Sequence, residues 1–211
     1  MRTDVLTVEQ LEDLMIAVYR NARSLADDAQ ILLDDGRYAR AYAVAELGAE
    51  ELGKLLMLGN VAIFSALGES IDWARFWRRF YDHSPKASNI SLLDYMYGSK
   101  FSQWASGDLE TIKADEAGLE EAARQAAIMA IAKNRALYVD WRKGKLLSPD
   151  SSIPKEWAEQ MTKAVAELAT RMAENGMPPE KGWLGKQALS ADFRKNAMKL
   201  RQRLSEAGEP F

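Results

Sequence analysis

Residues 38–67, YARAYAVAELGAEELGKLLMLGNVAIFSAL, form a sparsely charged run that is apolar on nearly every side of a helix. A helix of that kind cannot lie on a surface with one face in water, so it must be central, with other helices around it. Its most apolar part, residues 55–68, is interrupted by Gly59, Asn60 and Ser65 and is too short to cross a bilayer. Gly48 and Gly59 fall on the same side, where glycine costs about 1 kcal/mol against alanine but permits close helix approach. A buried central helix in a chain of 211 residues implies a helical bundle of one domain, or one domain with an appendage.

The flanking sequence supplies the partners. Thr7 and Gln10 spell a capping box. From there Leu11, Leu14, Met15, Val18, Ala22, Leu25, Ala26, Ala29 and Leu33 repeat at the helical period as far as Asp34-Asp35-Gly36. Ser70 and Asp72 can cap a short aromatic helix through Trp73, Phe76, Trp77 and Phe80, which breaks before Pro85. A fourth helix follows Ser91, and a long one is expected over about 109–143. Ser148-Pro149-Asp150-Ser151-Ser152-Ile153-Pro154 is the clearest loop, with Pro154 suited to a first helical position. A helix over about 155–174 stops at Asn175-Gly176, and Ser190 caps a basic amphipathic helix to Leu204. No alternating run calls for a strand. The expectation is an all-α bundle of long antiparallel helices over residues 1–153, with residues 154–211 a C-terminal helical extension packed on the same domain.

Composition excludes several chemistries. The chain has no cysteine, hence no disulfide, thiolate metal site or thiol nucleophile, which fits a reducing cytoplasm. The N-terminus lacks a cationic stretch followed by an apolar run, so no secretory signal and no membrane association are expected. Acidic side chains outnumber basic ones across residues 1–60, and the reverse holds over 181–211. A basic tail can meet a polyanion, although such segregation is common on solvated helices.

Within the central helix, Glu46, Glu50 and Lys54 recur at i, i+4 and i+8 and drift only about 80° around the axis. Charges on so apolar a helix either face water or a cleft, or meet a cation from another helix. A Glu50–Lys54 pair on an exposed face would be merely structural. A di-metal carboxylate site needs Glu-x-x-His pairs from other helices. The single histidine, His83, lies outside any such pattern, so neither metal nor cofactor is expected. Arg124, Ile128, Ile131, Arg135, Tyr138 and Arg142 share one face of the long helix, making Arg135 the candidate partner for Glu46 or Glu50. That arginine either pairs structurally or serves a catalytic or RNA-facing role.

These residues resemble a known family. Gly36-Arg37-Tyr38, then Ala41, then Glu50-Glu51-Leu52-Gly53-Lys54 look like the second-helix signature of AbiV-type abortive-infection proteins, a branch of the HEPN superfamily. Arg135-Ala136-Leu137-Tyr138-Val139-Asp140, followed by Leu147-Ser148-Pro149, looks like their second signature. Phe80, His83 and Lys86 resemble the segment between the two. The resemblance spans about residues 8–153 and implies that the all-α bundle is HEPN-like, homodimeric and serves phage defence. Many HEPN proteins are ribonucleases whose motif is arginine, four to six residues, then histidine. Arg135 matches the arginine, but Asp140, Trp141 and Arg142 stand where the histidine is expected.

That departure divides the functional readings. RNA cleavage moves one proton from a 2′-hydroxyl and returns another to the leaving oxygen, which suits a histidine near neutrality. An aspartate is a poor acid there. The leading expectation is a phage-defence effector with a polar cleft of Glu46, Glu50, Lys54, His83, Lys86, Arg135, Tyr138 and Asp140. Through it the protein would act on RNA, the translation machinery or a phage protein with a degenerate HEPN motif. In an active, metal-independent ribonuclease, His83 would be the acid/base, Lys86 and Arg135 would stabilise phosphate charge, and Glu50 would orient Arg135. A non-catalytic helical scaffold or antitoxin-like partner is the third reading.

Overall fold

The computed structural model describes residues 3–82, 128, 131–177, 181–182 and 195. Two long helices, α1 (Val8–Asp34) and α2 (Tyr38–Ala66), are joined by a turn of three residues. The capping box forms as read: the Thr7 hydroxyl accepts from the Gln10 amide and the Gln10 side chain accepts from the Thr7 amide. At the other end Gly36 takes φ +74°, which lets the Arg37 amide donate to the Leu32 carbonyl and close the helix. The two helices run antiparallel. Gly48 of α2 lies against Ala22 and Leu25 of α1, whereas Gly59 lies against Met15, so α1 is traversed backwards as α2 advances.

The short aromatic helix α3 (Trp73–Tyr81) is capped by the Asp72 carboxylate, which accepts from the Arg75 amide at 2.9 Å. Phe76, Trp77 and Phe80 are buried core members, and the Trp77 indole donates to the Asp4 carbonyl at 2.8 Å, tying the N-terminal segment to α3. The helix expected over 91–106, that over 190–204 apart from Lys195, and the first part of the one over 109–143 lie outside the described residues.

The last part of that long helix differs from expectation. Helical structure covers residues 131–137 (α4) and then stops. An antiparallel hairpin follows, with β1 (Asp140–Arg142) paired to β2 (Lys145–Leu147). Lys143 and Gly144, at φ 49° and 75°, form a two-residue turn of the type whose twist matches the strands. A strand pair was not anticipated because a Lys-Gly turn is a weaker signal than Asn-Gly and each strand is only three residues long. The expected loop at 148–153 contains a single helical turn, α5 (Pro149–Ser152), with Ser148 and Ser151 in a reciprocal capping box.

Helix α6 (Lys155–Glu174) begins after Pro154, which stands just before the first helical residue, and ends at Asn175-Gly176 as read. It fills the groove between α1 and α2: Val165 meets Gly48, and the Tyr19 hydroxyl donates to the Ala169 carbonyl at 2.8 Å. Beyond it, the Gly182 amide donates to the buried Glu12 carboxylate at 2.8 Å and Lys181 pairs with Asp13 at 3.1 Å. Among the described residues the outcome is an all-α architecture carrying one small hairpin, with α2 packed against α1 and α6. Among the described residues, no helix is long and apolar enough to cross a membrane.

Candidate functional site

Helix α2 is lined with Ala41, Ala45, Ala49 and Gly53, all buried, so its neighbours approach closely. Glu46 and Glu50 lie among them at 1% and 5% exposure. The carboxylates therefore do not face water, and they need a cation from elsewhere. Lys133 of α4 supplies it: its buried ammonium forms an ion pair with Glu50 Oε1. Lys54 pairs instead with Glu51, one residue off the carboxylate line, and its ammonium sits 5.1 Å from the Phe80 ring centre. A Glu50–Lys54 pair is not what forms.

The electrostatics follow from this packing. Burial pushes the Glu46 carboxyl up to about 7, Lys133 opposes that rise and Glu50 adds to it. Its Oε2 makes no hydrogen bond among the described residues. Tyr42, one turn earlier, is pushed up to about 12 by burial and then by Glu46. Near neutrality the cluster thus holds one firmly paired carboxylate and one that is half protonated. Among the described residues, no group of acids and histidines could hold a metal ion.

Arg135 does not meet Glu46 or Glu50. It is exposed, as are Ile128, Ile131 and Tyr138, the residues read as sharing its face. The opposite face, Ala132, Lys133 and Ala136, is the one turned inward. The Lys133–Glu50 ion pair holds this face against α2, and Ala132 and Ala136 are buried beside it. The overlooked residue is Lys133, and the signal was its position between two alanines spaced i, i+4.

Because α4 ends at residue 137, Asp140 is not on a continuation of that helix. It opens β1, where its carboxylate accepts from the Arg142 guanidinium and from the Trp141 amide. The Arg142 hydrogen bond, then the Trp141 amide, hold Asp140 below the usual carboxylate range, with Arg135 adding to the effect. A carboxylate so held cannot donate a proton near neutrality. Arg135, Tyr138 and Asp140 thus share an outward surface, Tyr138 being 65% exposed, whereas Glu46 and Glu50 belong to the interior. The single cleft expected to join them is two separate places. His83 and Lys86 lie outside the described residues.

Comparison with curated proteins gave no match, and comparison with solved structures gave none. The family model described as AbiV matches residues 10–170, from the first turn of α1 to near the end of α6. That is most of the chain, and it runs past residue 153, where the resemblance read from the sequence ended. The chain belongs to the AbiV family of HEPN proteins, and that membership points to abortive infection, a form of phage defence.

Proposed function

We propose that this protein is an abortive-infection effector that captures its target, rather than cleaving RNA, through the outward surface of Arg135, Tyr138 and Asp140. The target class is RNA, the translation machinery or a phage protein. One observation carries the reading. The motif arginine faces solvent, while the residue at the expected histidine position is a carboxylate locked to Arg142. An arginine can bind and orient a phosphate or carboxylate, but it cannot shuttle protons, and its neighbour is held ionised. Binding without turnover is what such a pair supports.

Incubating purified protein with total bacterial RNA tests the claim. RNA left intact by both the natural protein and a His83→Ala variant is the expected result. Cleavage by the natural protein that disappears in His83→Ala would replace this reading with the ribonuclease one.

A further inference from the structure

The charges do not balance where α4 meets α2. Glu46 and Glu50 stand one turn apart on α2, and both are buried, as is Lys133 of α4. The Lys133 ammonium is given to Glu50 Oε1, while Glu46 Oε2 makes no hydrogen bond among the described residues. The groups that face Glu46 are Glu50 and Tyr42 on its own helix and Lys133 from α4. Among the described residues, α1 and α6 bring no charge that shifts it. Two carboxylates and one ammonium leave a net negative charge away from water, which is costly unless one carboxylate holds a proton. Glu50 has the cation, so the proton falls to Glu46.

Losing that proton leaves two outcomes. Either the interior keeps an uncompensated anion, or α4 lifts and water reaches both carboxylates. Within α4, Ala132 and Ala136 are the other buried residues, whereas Ile131, Asn134, Arg135 and Leu137 are exposed. Two alanine methyls are a small loss beside a stranded charge, and a buried ion pair adds little once both partners can be hydrated instead. Lifting is thus the easier response. We infer that the Glu46 proton works as a switch on α4: while it is held, α4 stays docked and fixes Arg135 on the outer surface, and its loss shifts the balance toward a lifted α4. That this governs target capture rests on the proposed role of the Arg135 surface; the docking itself does not.

The test uses the full-length protein, whose lack of cysteine makes any introduced thiol a unique probe. Ala136→Cys places one on the buried side of α4, and Arg135→Cys places a control on its exposed side. Each is labelled with a pyridyl disulfide from about pH 5.5 to 8.5, and the ratio of the two rates cancels the thiol's own titration. A lifted carboxyl titrates near 4.5 and the docked one near 7, so lifting grows with pH between those values and levels off above them. The ratio should rise roughly tenfold from about pH 5.5 to 7 and only about twofold more by about 8.5. With Glu46→Gln added it should not change with pH. Because Ala136→Cys alters a buried position, hydrogen exchange of amides 132–137 supplies a second readout in the cysteine-free protein. Corrected for its intrinsic pH dependence, that exchange should follow the same profile, stay flat in Glu46→Gln, and run well ahead of exchange in α1 and α6. A flat profile in the natural protein, or a rise that persists in Glu46→Gln, would overturn the inference. So would α4 amides exchanging no faster than those of α1 and α6, since unfolding of the whole molecule would then be what opens the site. No target enters these measurements, so their failure leaves the surface reading standing, and phage plating with Arg135→Ala tests that reading alone.

Discussion

Replacing Glu46 with glutamine should flatten the pH dependence of this protein's stability. The Glu46 carboxyl is 1% exposed, and burial raises it from an ordinary value near 4.5 to about 7. Between those values the folded protein holds a proton that the unfolded chain has released. Stability from this group is complete below the lower value and falls as pH rises, until above about 7 the folded state carries a buried charge. A tenfold change in proton affinity corresponds to about 1.4 kcal/mol, and partial screening by water leaves roughly 2–3 kcal/mol in all. In a protein of this size that is roughly 4–12 °C in midpoint. Glutamine keeps the shape and never ionises. Thermal unfolding of both proteins between about pH 5 and 8.5 should show near-equal midpoints at the acid end. The variant should lead by the stated margin at the alkaline end. Other titrations are common to both proteins and cancel in the difference. Parallel curves, or a natural protein that gains on the variant as pH rises, would refute the account of Glu46 as a buried, half-protonated acid.

Five further variants test the packing and the cap of α1. Lys133→Met removes the cation that faces Glu50 and should cost about 3–5 kcal/mol in urea unfolding, whereas Arg135→Ala, on the exposed side of the same helix, should change stability by less than about 0.5 kcal/mol. A β-carbon at Gly59 would find Met15 Cε at 3.9 Å, so Gly59→Ala should stabilise by about 1 kcal/mol through helix propensity. At Gly48 it would meet the Ala22 carbonyl oxygen and Val165 Cγ1 at 3.3 Å, so Gly48→Ala should destabilise by about 1 kcal/mol or more despite that gain. Thr7→Ala should cost about 1 kcal/mol by breaking the capping box, read as a lower thermal midpoint.

Much of the fold was legible because its signals are local. Thr7 and Gln10, Gly36, Asp72, and Asn175-Gly176 mark helix ends by capping and turn chemistry that needs no tertiary context, and the structure uses each of them. The family signature was legible too, as three segments in order. The candidate site was harder. Period alone put Ile128, Ile131 and Arg135 on one face, and all three are exposed, but the need of Glu46 and Glu50 for a cation was assigned to Arg135 on that face. Lys133 meets Glu50 from the other face, and Ala132, Lys133 and Ala136 are the residues turned inward. Helix propensity also carried α4 through Tyr138-Val139-Asp140, where the Lys143-Gly144 turn and the short ladder it closes prevailed. Both errors bear on Arg135, whose outward placement became legible only once Lys133 was seen to face Glu50.

Phage plating on bacteria carrying the gene, with Arg135→Ala beside the natural sequence, addresses the division between an inner charge cluster and an outer working surface. The expected result is lost protection by a variant whose thermal midpoint matches the natural protein. Full protection by that folded variant would show that the outward surface around Arg135 is not where this protein meets its target.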